Sequence, residues 1–145
     1  MSFQFSLATV LRVRGIIEEQ EERLLQKILF EITQTREALA RTDAAIIGSD
    51  AARQDDLFKP FMGRNFHASY GEVEEFKQNR EKLAEQIEKL EQLRDQQLKV
   101  YENARRNREM LTDMREEKRT AYDSDIARLE QKTLDDNFIA RRGRS

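Results

Sequence analysis

Hydrophobic residues recur every three or four positions over the first part of the chain, and the positions between them are rich in Glu, Arg and Gln. The stripe comprises Phe3, Leu7, Val10, Arg14, Ile17, Glu21, Leu24, Ile28, Ile32, Thr35, Leu39, Thr42 and Ile46. This spacing places side chains on one face of an α-helix, whereas a strand would need strict alternation. The pattern predicts a helix over residues 3–47, and Leu11, Leu25 and Leu29 widen its apolar face.

A second stretch shows the same spacing further along the chain. Its stripe comprises Val73, Phe76, Arg80, Leu83, Ile87 and Leu90, and it continues less evenly through Leu93, Leu98, Tyr101, Ala104, Leu111, Met114, Tyr122, Ile126 and Leu129. Ser69 is followed three residues later by Glu72, which is the capping-box pattern of a helix start. We therefore expect a second helix over residues 69–136 and a basic tail at 137–145.

Turn-forming residues are concentrated between the two stretches, at Gly48, Pro60, Gly63 and Gly71. They predict a turn region at 48–68, although the first helix could continue to 58 before Pro60 stops it. The sequence thus predicts an all-α fold in which residues 1–145 form a single unit. Two long antiparallel helices would make an elongated coiled-coil hairpin with no globular domain.

Composition agrees with a thin hydrophobic seam. Charged residues make up 37% of the chain and hydrophobic residues 38%, whereas compact globular domains carry about 25% and about 45–50%. Disorder is the alternative that this composition also allows, and the regular periodicity argues against it. The 26 basic and 28 acidic side chains nearly balance, so strong attraction to nucleic acid is not expected.

The sequence offers little material for catalysis. It has no cysteine and one histidine, His67, which we interpret as a bystander in the turn region. A catalytic carboxylate needs a pocket that shifts its pKa, and a two-helix hairpin has no obvious place for one. We therefore expect no enzyme activity, no cofactor and no metal site.

No apolar run approaches the roughly 20 residues that span a bilayer. The start MSFQFSLATVLRVR lacks the basic region and continuous apolar stretch of a signal peptide. We expect a cytoplasmic protein without direct membrane insertion.

Both predicted ends of the hairpin carry many apolar side chains. One cluster comprises Phe3, Phe5, Leu7, Val10 and Leu11, and the other comprises Phe58, Phe61, Met62, Phe66, Tyr70, Val73 and Phe76. The second cluster could pack the turn against the helices, or it could form a docking patch for another protein. Some of its aromatic side chains could serve each purpose.

Two stretches, FQFSLATVLRVRGIIEEQEERLLQ and RLEQKTLDDNFIARRGR, resemble the FliJ family, the small coiled-coil proteins of the bacterial flagellar type III export apparatus. The first has an aromatic-led start followed by a Glu-rich helix. The second has Gln131-Lys132 followed by Leu134-Asp135-Asp136 and a basic tail. Between them the likeness is mainly that of a coiled coil.

The resemblance implies a component similar to the central stalk of rotary ATPases. It would dock in the hexameric flagellar export ATPase and link it to the cytoplasmic domain of a membrane export-gate protein and to export chaperones. The implied ring-docking residues are Phe3, Phe5, Leu7, Val10, Leu11, Arg12, Arg14, Leu134, Asp135, Arg141 and Arg142. The implied export-gate residues are Tyr70, Val73 and Phe76. The protein would lie peripherally at the inner-membrane export apparatus. The hairpin itself predicts an elongated monomer when the protein is free.

Three other interpretations remain open. The stalk of a virulence injectisome would share the shape and role, although the start FQFSLATVL favours the flagellar version. A self-associating scaffold would form a stable parallel dimer. A coiled coil that binds nucleic acid would show salt-sensitive retention.

Overall fold

A computed structural model describes residues 2–57 and 63–143, without the side chains of residues 53, 56, 57 and 63–70. Helix α1 runs over Ala8–Leu57 and helix α2 over Gly63–Gly143, with 50 and 81 residues respectively. The two helices pack against each other, and the described ranges contain no strand. The predicted all-α helical hairpin is therefore confirmed.

The boundaries of both helices differ from the main predicted ones, and α1 begins at Ala8, later than the predicted residue 3. Gly48 lies inside α1, with no positive φ angle and with open space where a Cβ would lie. A glycine in a helix interior costs only about 1 kcal/mol relative to alanine. The flanking residues, which are rich in Ala, Arg, Gln and Leu, favour helix and carry α1 past it to Leu57. The turn predicted to begin at residue 48 is therefore wrong, and α1 agrees with the alternative in which the first helix continues towards residue 58.

The predicted start of the second helix is also wrong. Because α2 begins at Gly63, Ser69 lies inside the helix and its spacing to Glu72 does not mark a cap. Gly71 is likewise an interior residue without a positive φ angle. At the other end, α2 continues through residues 137–143, which the sequence analysis assigned to a tail. Phe138, Ile139 and Ala140 add apolar residues to the helix there.

The chain divides into two compact units, and each helix contributes to both. The first, which we call the connecting unit, comprises Glu21–Val100. Its seam buries Ile32, Val73 and Leu90, together with the two threonines Thr35 and Thr42. These are positions of the predicted stripes, so the periodicity located this core correctly. Leu24 and Leu93 are instead about half exposed.

The second unit, which we call the terminal unit, comprises Met1–Gln20 and Tyr101–Ser145. Here the α1 seam differs from the predicted stripe, because Leu11 is partly buried while Val10 and Arg14 are exposed. Phe5 and Ala104 are its buried hydrophobic residues. The chain enters α1 through a turn in which the Ala8 amide donates to the Phe5 carbonyl at 3.1 Å.

Candidate protein-docking surface

The segment that precedes α1 lies against α2 through aromatic and cationic contacts. The Phe3 and Tyr122 rings lie 5.6 Å apart at an angle of 52°. The Lys118 Nζ lies 5.8 Å from the centre of the Phe5 ring, and the Arg119 guanidinium lies 6.0 Å from that of Phe3. A cation over an aromatic face contributes about 0.5–2 kcal/mol, depending on its desolvation. These contacts fix the N-terminal segment on α2.

This arrangement changes the interpretation of the two phenylalanines as ring-docking residues. Phe5 is only 8% exposed, and Phe3 is partly buried. A side chain that is enclosed by its own chain cannot also form the centre of an interface. We conclude that Phe5 has a structural role and that Phe3 offers only part of its ring to a partner.

An ion pair joins the two helices within the terminal unit. Arg108 Nε donates to Glu18 Oε2 at 2.6 Å, and Arg108 Nη2 donates to Glu18 Oε1 at 3.2 Å. The two-point geometry is the strong form of an arginine–carboxylate pair. The hydrogen bond from Arg108 holds the pKa of Glu18 below its usual value of 4.5, against the opposing effect of burial. The Arg108 pKa is raised for the same reason.

A second polar contact crosses the seam within the connecting unit. Gln97 Nε2 donates to the backbone carbonyl of Glu21 at 3.1 Å and to its Oε2 at 2.5 Å. The seam positions Arg94 and Gln97 are partly buried, while the apolar Leu98 beside them is exposed. Hydrophobic spacing alone does not identify these polar seam positions.

The remaining ring-docking candidates near the start of α1 fall into two groups. Val10, Arg12 and Arg14 are exposed, whereas Leu7 and Leu11 are partly buried. Val13 and Ile16 are also about half exposed, although they were not predicted as contacts. The first turns of α1 therefore present both apolar and basic side chains to solvent.

A group of exposed apolar side chains of the terminal unit lies at the end of α2. Every residue from 127 to 143 is exposed, and we call this range the exposed segment. Leu134 and Phe138 are 63% and 64% exposed, and Leu129 and Ile139 are similar. All four ring-docking candidates predicted in α2 lie in this segment: Leu134, Asp135, Arg141 and Arg142.

Leu134 and Phe138 lie on one side of the exposed segment, whereas Leu129, nine residues from Phe138, lies on the opposite side. Two shallow concavities lie along the segment, the first lined by Ile126, Leu129, Glu130, Thr133 and Leu134 and the second by Leu134, Asp135, Asn137, Phe138 and Arg141. Phe138 was not predicted as a contact because residues 137–145 were assigned to a basic tail. The spacing of four from Glu130 to Leu134 to Phe138 was the available signal.

The predicted export-gate residues do not form one surface. Val73 is 1% exposed and is the most completely buried side chain among those described, so it is part of the core. Phe76 is partly buried. The side chain of Tyr70 lies outside the described residues, as do those of Phe58, Phe61, Met62, Phe66 and His67. The exposed Arg80, which interrupts the apolar stripe, pairs with Asp43 Oδ1 at 2.7 Å.

In the described ranges no group of three or more His, Cys, Asp or Glu side chains is arranged to hold a metal ion. Neither α1 nor α2, over the residues described, has a stretch apolar enough to cross a membrane. No known protein family, curated protein or solved structure matches the chain. The surface described above is therefore the main structural guide to function.

Proposed function

We propose that this protein is a non-catalytic component of the bacterial flagellar type III export apparatus. Its terminal unit docks in the hexameric export ATPase, in the manner of a central stalk. It links the ATPase to the export gate and its chaperones, and it lies in the cytoplasm, peripherally at the inner membrane. The proposal combines the resemblance of the two terminal stretches to the FliJ family with the exposed apolar side chains at the end of α2.

The exposed segment is the observation that supports docking most directly. Leu129, Leu134 and Phe138 leave most of their apolar surface in water, and burying such surface yields about 25 cal/mol per Å². Leu134 and Phe138 are four residues apart and lie side by side on the helix, and exposed apolar groups of this kind commonly mark protein interfaces. Arg141 borders this pair of side chains and supplies a cation that can pair with a carboxylate of a partner, and the Arg142 guanidinium lies 6.0 Å from the centre of the Phe138 ring.

The export-gate contact needs a revised location. Because Val73 is buried in the connecting unit, of the three predicted residues only Phe76 has a described side chain with accessible surface. The proposal therefore assigns the gate contact to the α2 surface around Phe76 and excludes Val73 from it.

The test mixes the purified full chain with the flagellar export ATPase and measures hexamer formation, ATP hydrolysis and co-elution. We expect the wild-type chain to co-elute with the hexamer and to change its hydrolysis rate. Leu134→Glu and Phe138→Glu should each weaken binding at least tenfold, because a carboxylate would replace about 1.5–3 kcal/mol of apolar burial.

Met110→Glu is the matched control, since Met110 is 63% exposed, lies in the terminal unit and is outside the exposed segment. It should bind like the wild type, and circular dichroism should show unchanged helicity for all three variants. Absence of co-elution together with an unchanged hydrolysis rate would rule out the stalk role. Equal weakening by Met110→Glu would place the contact elsewhere on the unit.

A further inference from the structure

The apolar stripes of the connecting unit do not by themselves define one alignment of its helices. Covered apolar positions recur every seven residues in both helices, at Leu25, Ile32, Leu39 and Ile46 in α1 and at Phe76, Leu83 and Leu90 in α2. Sliding one helix along the other by seven residues, about 10.5 Å, therefore brings apolar side chains opposite apolar side chains again.

A hairpin can accommodate such a slide. When the pairing of two antiparallel helices shifts by seven residues, the connection between them moves along the chain by only about half as many residues. Because α1 and α2 each run through both units, one slide changes the pairing in both. Something other than the spacing of apolar side chains must therefore select the register.

The partly buried charges of α1 supply a more specific constraint. Among the described side chains of α1, every charged one that is partly buried is acidic: Glu18, Glu21, Asp43 and Asp50. Three of them are bound from α2, by Arg108 at Glu18, by Gln97 at Glu21 and by Arg80 at Asp43. A carboxylate that is withdrawn from water and loses its donor destabilises the fold. The acids of α1 therefore need donors at defined positions along α2.

The donors match the acids in the observed register better than after a slide. A slide of seven residues replaces each donor by the residue seven positions before or after it in α2. Glu21 and Asp43 then meet only apolar side chains, whichever way the helix moves, and Glu18 meets a second arginine in one direction only. The residues are Tyr101 or Arg115 for Glu18, Leu90 or Ala104 for Glu21, and Val73 or Ile87 for Asp43.

We propose that the contacts from α2 to the partly buried carboxylates of α1 select one register of the hairpin from the several that its apolar stripes allow. A single polar side chain at a seam position fixes the register of other coiled coils in this way, at a cost in stability. The pairs Arg36–Glu91 and Arg80–Asp43 are more exposed than Glu18–Arg108 and reinforce the same register more weakly. The inference does not depend on the proposed function.

Distances between two spin labels measure the register in the full chain. The chain has no natural cysteine, so Arg41→Cys with Gln96→Cys defines two label sites, both at exposed positions of the connecting unit. Because Arg36 contacts Glu91, residue 96 lies about ten residues along α2 from the level of residue 41, or about 15 Å. A slide therefore changes the label separation, and the wild-type sequence should give one distance.

Removing the two main donors should release a slide of known direction. Gln97→Leu with Arg108→Leu leaves Glu18 and Glu21 without their donors, and a slide that brings Arg115 opposite Glu18 restores one of them. That slide moves the labels towards each other, so a second population should appear at a separation shorter by up to about 10 Å.

Adding Arg115→Leu to the same variant is the matched control, since it removes the alternative donor and should abolish the shorter population. Circular dichroism should show unchanged helicity in both variants. An unchanged single distance after removal of the two donors would overturn the inference. So would a shorter population that persists when Arg115 is replaced.

A variant without the acids guards against simple unfolding. Replacing Glu18, Glu21, Gln97 and Arg108 together by Leu removes the need for donors, and such replacements are often neutral or stabilising. The unfolding equilibrium constant in urea should therefore not rise, yet the labels should report more than one separation. A single wild-type distance in this variant would overturn the inference.

The pair Arg105–Glu109 provides the control for added leucines, because it lies within α2 and is exposed. Arg105→Leu with Glu109→Leu should keep the single wild-type distance. If this variant showed the same additional separations, added apolar surface would explain them, and the contacts to α1 would not be the selecting feature.

Discussion

The connecting unit and the terminal unit use the same two helices in different ways. In the connecting unit, Ile32, Val73 and Leu90 form a buried hydrophobic seam. In the terminal unit, the buried hydrophobic residues are Phe5 and Ala104, and the large apolar side chains at the end of α2 are exposed. One continuous helix, α2, therefore contributes to the hydrophobic core along one part of its length and presents apolar side chains to solvent along another.

The largest expected difference between the units concerns truncation of apolar side chains. Ile32→Ala removes a side chain that is buried in the seam and should lower the free energy of unfolding by about 2–4 kcal/mol, through lost burial and the cavity left behind. Phe138→Ala removes a larger side chain that is mostly in water and should change the free energy of unfolding by less than about 0.5 kcal/mol. Urea unfolding followed by circular dichroism measures both, and similar losses would contradict the division of roles.

An intermediate effect is expected from the ion pair of the terminal unit. Arg108→Ala leaves Glu18 without its two hydrogen bonds and should lower the free energy of unfolding by roughly 1–2 kcal/mol at pH 7. The effect should exceed that of Arg80→Ala in the connecting unit, whose pair with Asp43 is more exposed and should contribute about 0–1 kcal/mol.

The same ion pair gives a pH dependence of defined sign. Because the folded-state pKa of Glu18 lies below 4.5, its stabilisation is fully present above that pH and is lost as the pH falls through the lowered value. Glu18→Gln should therefore be less stable than the wild type at pH 7, and the difference should shrink on acidification below pH 4.5. A difference that stays constant down to pH 2 would show that the ionised carboxylate is not responsible.

The smallest expected effects come from the interior glycines of α1. Gly15 in the terminal unit and Gly48 in the connecting unit have helical backbone angles, and a Cβ at either position would meet no atom within 4 Å. Gly15→Ala and Gly48→Ala should each raise the free energy of unfolding by about 0.5–1 kcal/mol. Thermal unfolding at matched concentration measures the gain, and a loss at Gly15 would reveal packing that requires the absence of a side chain.

Hydrophobic periodicity predicted the helical hairpin and most of the connecting-unit seam from sequence alone. It failed where two apolar residues are adjacent, as in the pairs Val10–Leu11 and Leu24–Leu25, in which the second residue is the more buried. Which of two neighbours faces the partner depends on how the helices align. That alignment is a property of residues far apart in sequence, and local spacing does not contain it.

The candidate surface was only partly predictable for the same reason. The resemblance placed Leu134 and Arg141 in a docking role, and both lie on the exposed segment. It also selected Phe5 and Val73, because the sequence alone does not distinguish a buried apolar side chain near a helix end from an exposed one. The pair between Glu18 and Arg108 joins residues 90 positions apart, and no sequence motif indicates such a contact.

The two buried threonines of the connecting unit affect how its helices are aligned. Thr35 Oγ1 donates to the Glu31 carbonyl at 2.8 Å, and Thr42 Oγ1 donates to the Ala38 carbonyl at 2.9 Å. Each hydroxyl thus makes its hydrogen bond within its own helix and needs no hydrogen-bond partner on the opposite helix. Sliding one helix along the other would break neither of these two hydrogen bonds, so they do not fix the register between α1 and α2.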